Sequence, residues 1–497
     1  MRPLQDGSTG NGKRLIIVSN RGPIEHKDDD AGNMRQVGGS GGLATALRSA
    51  LDGMRLTWIA ATPGEDANAG RRIGLGDGNA LQLIVPPPEA QRLSYGTFCS
   101  AILWFLQHDI WAMLQRDDVA SEAAHTWRNG YLPVNRVFAD AVVRELAITG
   151  AERVSIHDFH LYALPRMIRE RRPDVTLQHF VHIPWPGPEA WAKLPAWIVV
   201  SICEGLLAND SVVFQTEASA RRFLETCRTY LSNVTVDAVA GEAAYRGRRT
   251  HVWANPVSVH PEDLRARVAS PAARPYRELL SAEAGEKTIV RVDRLDPAKN
   301  IIGGLRAYGR LLEDHPEWRG RVRFLSFLVP TRQNVPEYQS YASEVFREVC
   351  AINERYGGGS WRPVTVFHEH NRLQALVALT MYDVLLINSI TDGMNLVAKE
   401  GVVVNERAGV VVLSKTTGAH EELHAGAFPI EPRDIEQTAR ALQAALTLPA
   451  VERRLRAERM REAVEAHNIQ DWIQLLLADF AAVEASREPE AIIAGAV

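Results

Sequence analysis

Short β-branched apolar runs alternate with longer amphipathic stretches along most of the chain. In the first half the runs are RLIIVS (14–19), LTWIAA (56–61), ALQLIV (80–85), RVSIHD (153–158), LQHFVHI (177–183) and SVVFQT (211–216). In the second half they are TIVRVD (288–293), VRFLSFLV (322–329), VTVFH (364–368), DVLLIN (383–388) and GVVVLS (409–414). Most are unbroken rather than alternating, the pattern of parallel strands covered on both faces by helices. Each ends in a polar or Gly/Pro-bearing loop before a helical pattern resumes, so two doubly wound α/β units are expected. A joint falls in HVWANPVSVHPEDL (251–264), where Asn255-Pro256 stops an element. SPAARPYREL (270–279) reads as the entry to the second unit. HNIQDWIQLLLADFAAV (467–483) has helical periodicity with no strand after it, and is expected to pack back onto the first unit. The expected division is therefore 1–256, 257–466 and 467–497, with the last ten or so residues frayed.

Length agrees with this division, because 497 residues exceed one ordinary core. A net charge of -4 with both signs interleaved argues against a nucleic-acid surface but leaves room for a local phosphate site. Cys99, Cys203, Cys227 and Cys350 are scattered without CxxC or zinc spacing, which reads as reduced, buried thiols in a cytoplasmic protein. The start, MRPLQDGSTGNGK, lacks the apolar core of a signal peptide, and no stretch is apolar for long enough to span a membrane.

The candidate chemistry sits at strand ends, where ligands of doubly wound sheets bind. Arg21 follows the first strand, and Gly38, Gly39, Gly41 and Gly42 open a helix at Leu43. Such glycines let the backbone approach a ligand, and a helix start offers amide donors to an anion. The loop is neither GxGxxG nor a P-loop, so nicotinamide and ATP are not signalled. Asp158 in SIHDFHL and His182 in FVHIPWPGP follow two further strands and suit a polyhydroxylated ligand; the spacing does not make a metal site. VDRLDPAKN places Arg294 and Lys299 beyond a strand, two cations suited to a departing diphosphate. In SITDGMNLVAKEG (389–401), Asp392 and Gly393 form a turn before a helix whose first amides lie near Asn395 and Leu396, with Glu400 two turns on. Arg332 is a further cation at a strand end. Tyr95 and Trp104 look like the core face of a helix.

Together VSNRGP, GGSGGL, NGYLPVN, IHDFHL, FVHIPWP, DRLDPAKN, YDVLLINS and DGMNLVAKE resemble the trehalose-6-phosphate synthases, in order and over about residues 14 to 480. The resemblance implies a GT-B fold, two Rossmann-like domains facing each other across a cleft: an N-terminal acceptor domain and a C-terminal nucleotide-sugar domain. It implies retaining transfer of glucose from UDP-, GDP- or ADP-glucose to glucose 6-phosphate, with no cofactor or metal. Its proposed acceptor contacts are Arg21, Tyr95, Trp104, Asp158 and Arg332. The donor contacts are Gly41, Gly42, His182, Arg294, Lys299, Asp392, Gly393, Met394, Asn395, Leu396, Val397 and Glu400. Of these residues, Asp158, His182, Arg294, Lys299 and Asp392 carry the chemistry. The base is expected to be read around FHEHNRL (367–373). No nucleic-acid or membrane partner is implied, and homo-oligomerisation stays open.

Three stretches depart from the family pattern. Ala61 stands near where relatives carry a second tryptophan, DPAKN replaces DYSKG, and NPVSV replaces PIGI. The departures bear on the acceptor and the joint, so a glucosylglycerol-phosphate synthase or a validamycin-type pseudoglycosyltransferase remain alternatives. A non-catalytic sugar-phosphate sensor is the reading from another class.

Overall fold

The computed structural model describes residues 14–22, 24–28, 34–38, 55–62, 70–76, 78–114 and 116–487. The helix expected at Leu43, with Gly39, Gly41 and Gly42, lies outside them. The chain divides into two compact units. Unit 1 contains residues 1–99, 118–255 and 470–497; unit 2 contains 100–117 and 256–469.

Unit 1 holds strands β1 (Leu15–Ser19), β2 (Ile24–Asp28), β3 (Met34–Gly38), β4 (Leu56–Ala61), β5 (Arg72–Gly76), β6 (Asn79–Ile84), β7 (Arg153–His157), β8 (Thr176–Val181), β9 (Ser211–Phe214), β10 (Thr235–Asp237), β11 (Glu242–Tyr245) and β12 (Arg248–Ala254). Ten of them form one sheet in the order β10-β11-β12-β9-β8-β7-β1-β4-β6-β5, parallel from β12 to β6, while β2 and β3 make a separate hairpin. The centre is buried on both faces: every residue of β1, β7 and β8 is buried, polar ones included. After β1 the chain builds outward to β6 and returns on the other side at β7. The β1/β7 crevice is thus the topological switch point, where ligands of such sheets bind.

Unit 2 is a six-stranded parallel sheet of β13 (Lys287–Arg294), β14 (Val322–Val329), β15 (Val364–Phe367), β16 (Val384–Ile387), β17 (Val410–Ser414) and β18 (Phe428–Ile430), in the order β15-β14-β13-β16-β17-β18. Its switch point lies between β13 and β16. Arg294 ends β13, and the loops leaving the two strands carry Lys299 and Asp392.

Two features depart from the chain order. The last helix, Ile469–Arg487, belongs from Gln470 onward to unit 1, where Arg153 pairs with Glu484 at 2.7 Å and Gln178 reaches Asp479. Segment 100–117 belongs to unit 2 although its sequence neighbours belong to unit 1. Side chains explain it: Trp104 donates to Asp296, Arg116 pairs with Glu337 at 2.7 Å, and Asp109 with Arg433 at 2.8 Å. Of the cysteines, Cys99, Cys203 and Cys227 are buried and outside any disulfide, but Cys350 is exposed. No helix among the described residues is long and apolar enough to cross a membrane.

Candidate functional site

In unit 1 Arg21 and Asp158 follow the switch-point strands β1 and β7, His182 follows β8, and Tyr95 stands in the helical stretch Arg92–Leu103. Arg21 donates to the Tyr95 hydroxyl at 2.8 Å, and Tyr95 stacks on His160 with centroids 5.7 Å apart. The His160 ring lies 3.9 Å from the Asp158 carboxylate. These contacts make one polar chain of an arginine, a phenol, an imidazole and a carboxylate. Asp158 itself sits at φ 77°, a conformation costly for a side chain with a Cβ. Its amide donates to Phe180 and its carbonyl accepts from His179 at 3.1 Å, so the backbone is held there from both sides. His182 has both ring nitrogens engaged, with His157 at 3.1 Å and Gln215 at 3.3 Å. Burial drives His157 and His179 down to about 3 and His182 well below the usual imidazole range, so all three are neutral.

In unit 2 the centre is a carboxylate that sequence reasoning passed over. Asp296 is fully buried and accepts from the Trp104 indole at 3.1 Å, Arg332 at 3.0 Å and the Ala298 amide at 3.0 Å. Arg332 also lies over Trp104, 4.0 Å from its centroid, and His108 stacks on that ring at 3.8 Å. Trp104 is therefore buried, as its core-like pattern suggests, but within unit 2. Arg332 is a nearly buried cation committed to Asp296. Burial alone would raise the Asp296 carboxyl, but Arg332 and then Arg294 hold it below the usual range. Arg294 is more open, 44 % exposed, 3.7 Å from Asp296 and 5.1 Å from the Trp104 centroid. Of the paired cations it is the one best able to turn toward a ligand.

Lys299 ion-pairs with Asp392, bringing together the loops after β13 and β16. Burial raises the Asp392 carboxyl, yet Lys299 beside it holds it below the ordinary range. Asp392 also accepts from Asn395 at 3.2 Å, and Asn395 caps the helix Leu396–Val404 by accepting from Ala398. Gly393 and Met394 are buried; their loop is fixed by the Gly418 amide on Asp392 and the Ala419 amide on Met394. Leu396 and Val397 supply the first amides of the helix, a natural oxygen-binding position. Glu400 accepts from Arg372 at 2.9 Å, and burial pushes its carboxyl up despite that arginine. Arg372 falls within FHEHNRL, so this stretch and Glu400 do meet.

A Cβ on Gly418 would come 1.9 Å from the Gly393 carbonyl oxygen. Gly418→Ala should therefore displace the Gly393–Met394 loop. The expected cost is about 1–3 kcal/mol of stability, the usual cost of overpacking. A raised KM for the nucleotide sugar should accompany it. Unchanged thermal unfolding and unchanged KM would show that the loop does not need this approach.

With this geometry in place, comparison with known proteins is informative. The family model for glycosyltransferase family 20 matches residues 13–482. The chain is 32% identical over 494 residues to the alpha,alpha-trehalose-phosphate synthase [UDP-forming] of Schizosaccharomyces pombe, covering 97% of this chain and 93% of that one. A solved Escherichia coli structure, described as trehalose-6-phosphate bound with UDP-2-fluoro glucose, is 28% identical at a TM-score of 0.81, covering 94% and 98%. A Burkholderia xenovorans alpha,alpha-trehalose-phosphate synthase (UDP-forming) in complex with glucose-6-phosphate is 27% identical at the same TM-score of 0.81, covering 94% and 100%.

Proposed function

This chain belongs to glycosyltransferase family 20, and from that premise we propose that it moves glucose from UDP-glucose to glucose 6-phosphate, forming alpha,alpha-trehalose 6-phosphate in trehalose biosynthesis. It is a glycosyltransferase of the GT-B class, built from two doubly wound α/β units. The UDP-forming names of its relatives support uracil as the base, and the glucose-6-phosphate complex of its Burkholderia relative supports the acceptor.

The observation that carries the reading is the Lys299–Asp392 pair at the switch point of unit 2. A carboxylate that can accept from sugar hydroxyls and an ammonium that can neutralise a phosphate are held by one contact beside a capped helix start. In this reading Asp392 and the Gly393–Val397 backbone hold the donor glucose and diphosphate. Glu400 takes the ribose, Arg294 and Lys299 meet the charge that grows on the departing diphosphate, and His182 stands at the donor sugar. Arg21, Tyr95 and Asp158 hold the acceptor; Arg332 and Trp104 act through the Asp296 cluster. The acceptor hydroxyl approaches the face from which diphosphate leaves, and a leaving phosphate oxygen takes its proton. No carboxylate nucleophile is required, unlike a retaining glycosidase. Catalysis is then positioning and stabilisation of departing charge, work the two cations and the helix amides perform without a metal.

Lys299→Ala should lower kcat about 10²–10³-fold, the effect of losing one charge-stabilising donor. Near-native turnover with both substrates saturating would remove Lys299 from that role. The test of the whole reading is UDP, GDP and ADP release from the three glucose nucleotides, each with glucose 6-phosphate, glycerol 3-phosphate or an aminocyclitol phosphate, with and without chelator. UDP release requiring glucose 6-phosphate and insensitive to chelator is expected; release driven better by another acceptor would replace the reading. Four cysteines outside any disulfide are in keeping with a cytoplasmic enzyme.

A further inference from the structure

A hydrogen-bonded chain runs through the centre of the unit 1 sheet from the last helix to His182. It begins at Asp479, whose carboxylate oxygen accepts from the Gln178 side-chain amide at 2.7 Å. The same amide nitrogen donates to the Leu476 carbonyl at 3.1 Å. Two acceptors on one helix therefore fix which end of Gln178 is which, and its oxygen faces Ser155 at 3.4 Å. The Ser155 hydroxyl must donate to that oxygen, so its lone pair is left for His157 Nε2 at 3.2 Å. A neutral imidazole has one N–H. With Nε2–H spent on Ser155, His157 Nδ1 is an acceptor and can take only a proton offered by His182 Nε2, 3.1 Å away. That leaves His182 Nδ1 as an acceptor, and the amide nitrogen of Gln215 stands 3.3 Å from it. Every donor in the series meets an acceptor, and reversing any one bond forces two donors or two acceptors together elsewhere.

We propose that Asp479 and the Leu476 carbonyl, on the helix that closes the chain, are positioning groups for the donor sugar: through Gln178, Ser155 and His157 they set the tautomer and orientation of His182. The assignment of His182 to the donor sugar rests on the proposed function; the direction of the relay rests on the contacts alone. A sugar hydroxyl that reaches this ring finds Nε2–H already committed and can donate to Nδ1 only by displacing the Gln215 amide, 3.3 Å away. Asp479 is itself tied down by His251, 3.4 Å from its other oxygen. The polar members Ser155 and Gln178 stand inside strands β7 and β8, where an apolar side chain would pack as well. Their presence there is unexplained by packing and explained by the relay. A cavity of about 10 Å³ borders Ser155, His157 and Gln178, too small for a ligand.

The experiment uses the full chain labelled with ¹⁵N-histidine, with His157 and His182 assigned by substitution. Both rings should show the Nε2–H tautomer in the parent protein and a mixture of tautomers in Asp479→Ala and Ser155→Ala. In steady-state assays Ser155→Ala should raise KM for the nucleotide-glucose about fivefold, the worth of one net hydrogen bond. KM for glucose 6-phosphate should stay unchanged. Ser155→Thr, which keeps the hydroxyl and has the small cavity for its methyl, should restore both readouts. An unaltered tautomer pattern in both variants overturns the relay. A shifted tautomer with unchanged donor KM, or both KM values rising together, overturns its link to the donor. If the parent protein turns over no nucleotide-glucose, it is the proposed function that falls, while the ¹⁵N pattern still decides the relay.

Discussion

Asp296→Ala is expected to destabilise unit 2 by about 3–5 kcal/mol, the usual result of removing one partner from a buried ion pair. Arg332 is only 6% exposed and its nearest opposing charge is the fully buried Asp296. The substitution also takes the acceptor from the Trp104 indole and the Ala298 amide, each of which then carries a desolvation cost. Trp104 belongs to the 100–117 segment, so Asp296 is also a tie between that segment and the loop after β13. Hydrogen exchange should accordingly show loss of protection over 100–117 before the β13–β16 core opens. In thermal unfolding the shift should be on the order of 10 °C for a unit of this size. Asp296→Asn keeps an acceptor and loses the charge, so it should fall between the two. A midpoint within a degree or so of the parent, with 100–117 still protected, would show that Arg332 finds its compensation elsewhere.

The parts of this molecule that could be read from sequence are those whose information is local. All eleven apolar runs named from the pattern lie on strands, because a parallel strand buried on both faces is apolar at most of its positions. The ribbon β10–β11–β12 was not legible. Its strands are largely half-exposed, and TVD, EAAY and much of RRTHVWA carry neither an apolar run nor a clean alternation. HVWANP was seen as a stop, and β12 does end at Ala254, yet the strand before the stop was missed. Segment 100–117 could not have been assigned from pattern, since its place is decided by Trp104 meeting a carboxylate 192 residues away. Of the candidate site, Arg294, Lys299 and Asp392 were legible as polar groups at strand ends. Asp296 stands in the same motif, but its partners Trp104 and Arg332 come from other segments, so nothing local marks it. The pattern gives Arg332 as a cation at a strand end, and the structure pairs it with Asp296. Ser155 and Gln178 were hidden for a related reason: one polar residue within an apolar run looks like noise until its partner strand is known.

Acid should unfold unit 1 before unit 2, because the two differ in how many neutral imidazoles they bury. His157 and His179 are driven by burial to about 3, and His182 well below 6.5. All three belong to unit 1. Unit 2 has His108, lowered to about 4 by burial against the opposing pull of Asp296 and Asp392, and the partly buried His420. The sign follows from which state binds protons. Between about pH 6.5 and pH 4 the unfolded chain takes up a proton at each of these histidines and the folded chain does not. Stability is therefore full above the unfolded value and is lost as pH falls through that window. Each such group contributes a slope of about 1.4 kcal/mol per pH unit, so the three in unit 1 approach about 4 kcal/mol per unit. The depressed carboxylates Asp296 and Asp392 act differently. Their stabilisation persists above their unfolded values and is lost only as pH drops through their lower folded values, beneath this window. Pulsed hydrogen exchange on the intact chain at pH 7, 6, 5 and 4.5 separates the units. Protection in β7 and β8 should collapse while β13 and β16 still exchange slowly. His179→Phe, which removes one titrating ring from the core of unit 1, should flatten the acid slope of that unit by about 1.4 kcal/mol per pH unit and leave unit 2 unchanged. Simultaneous loss of protection in both sheets, or an unchanged slope in a folded His179→Phe protein, would mean that the buried imidazoles do not govern acid stability.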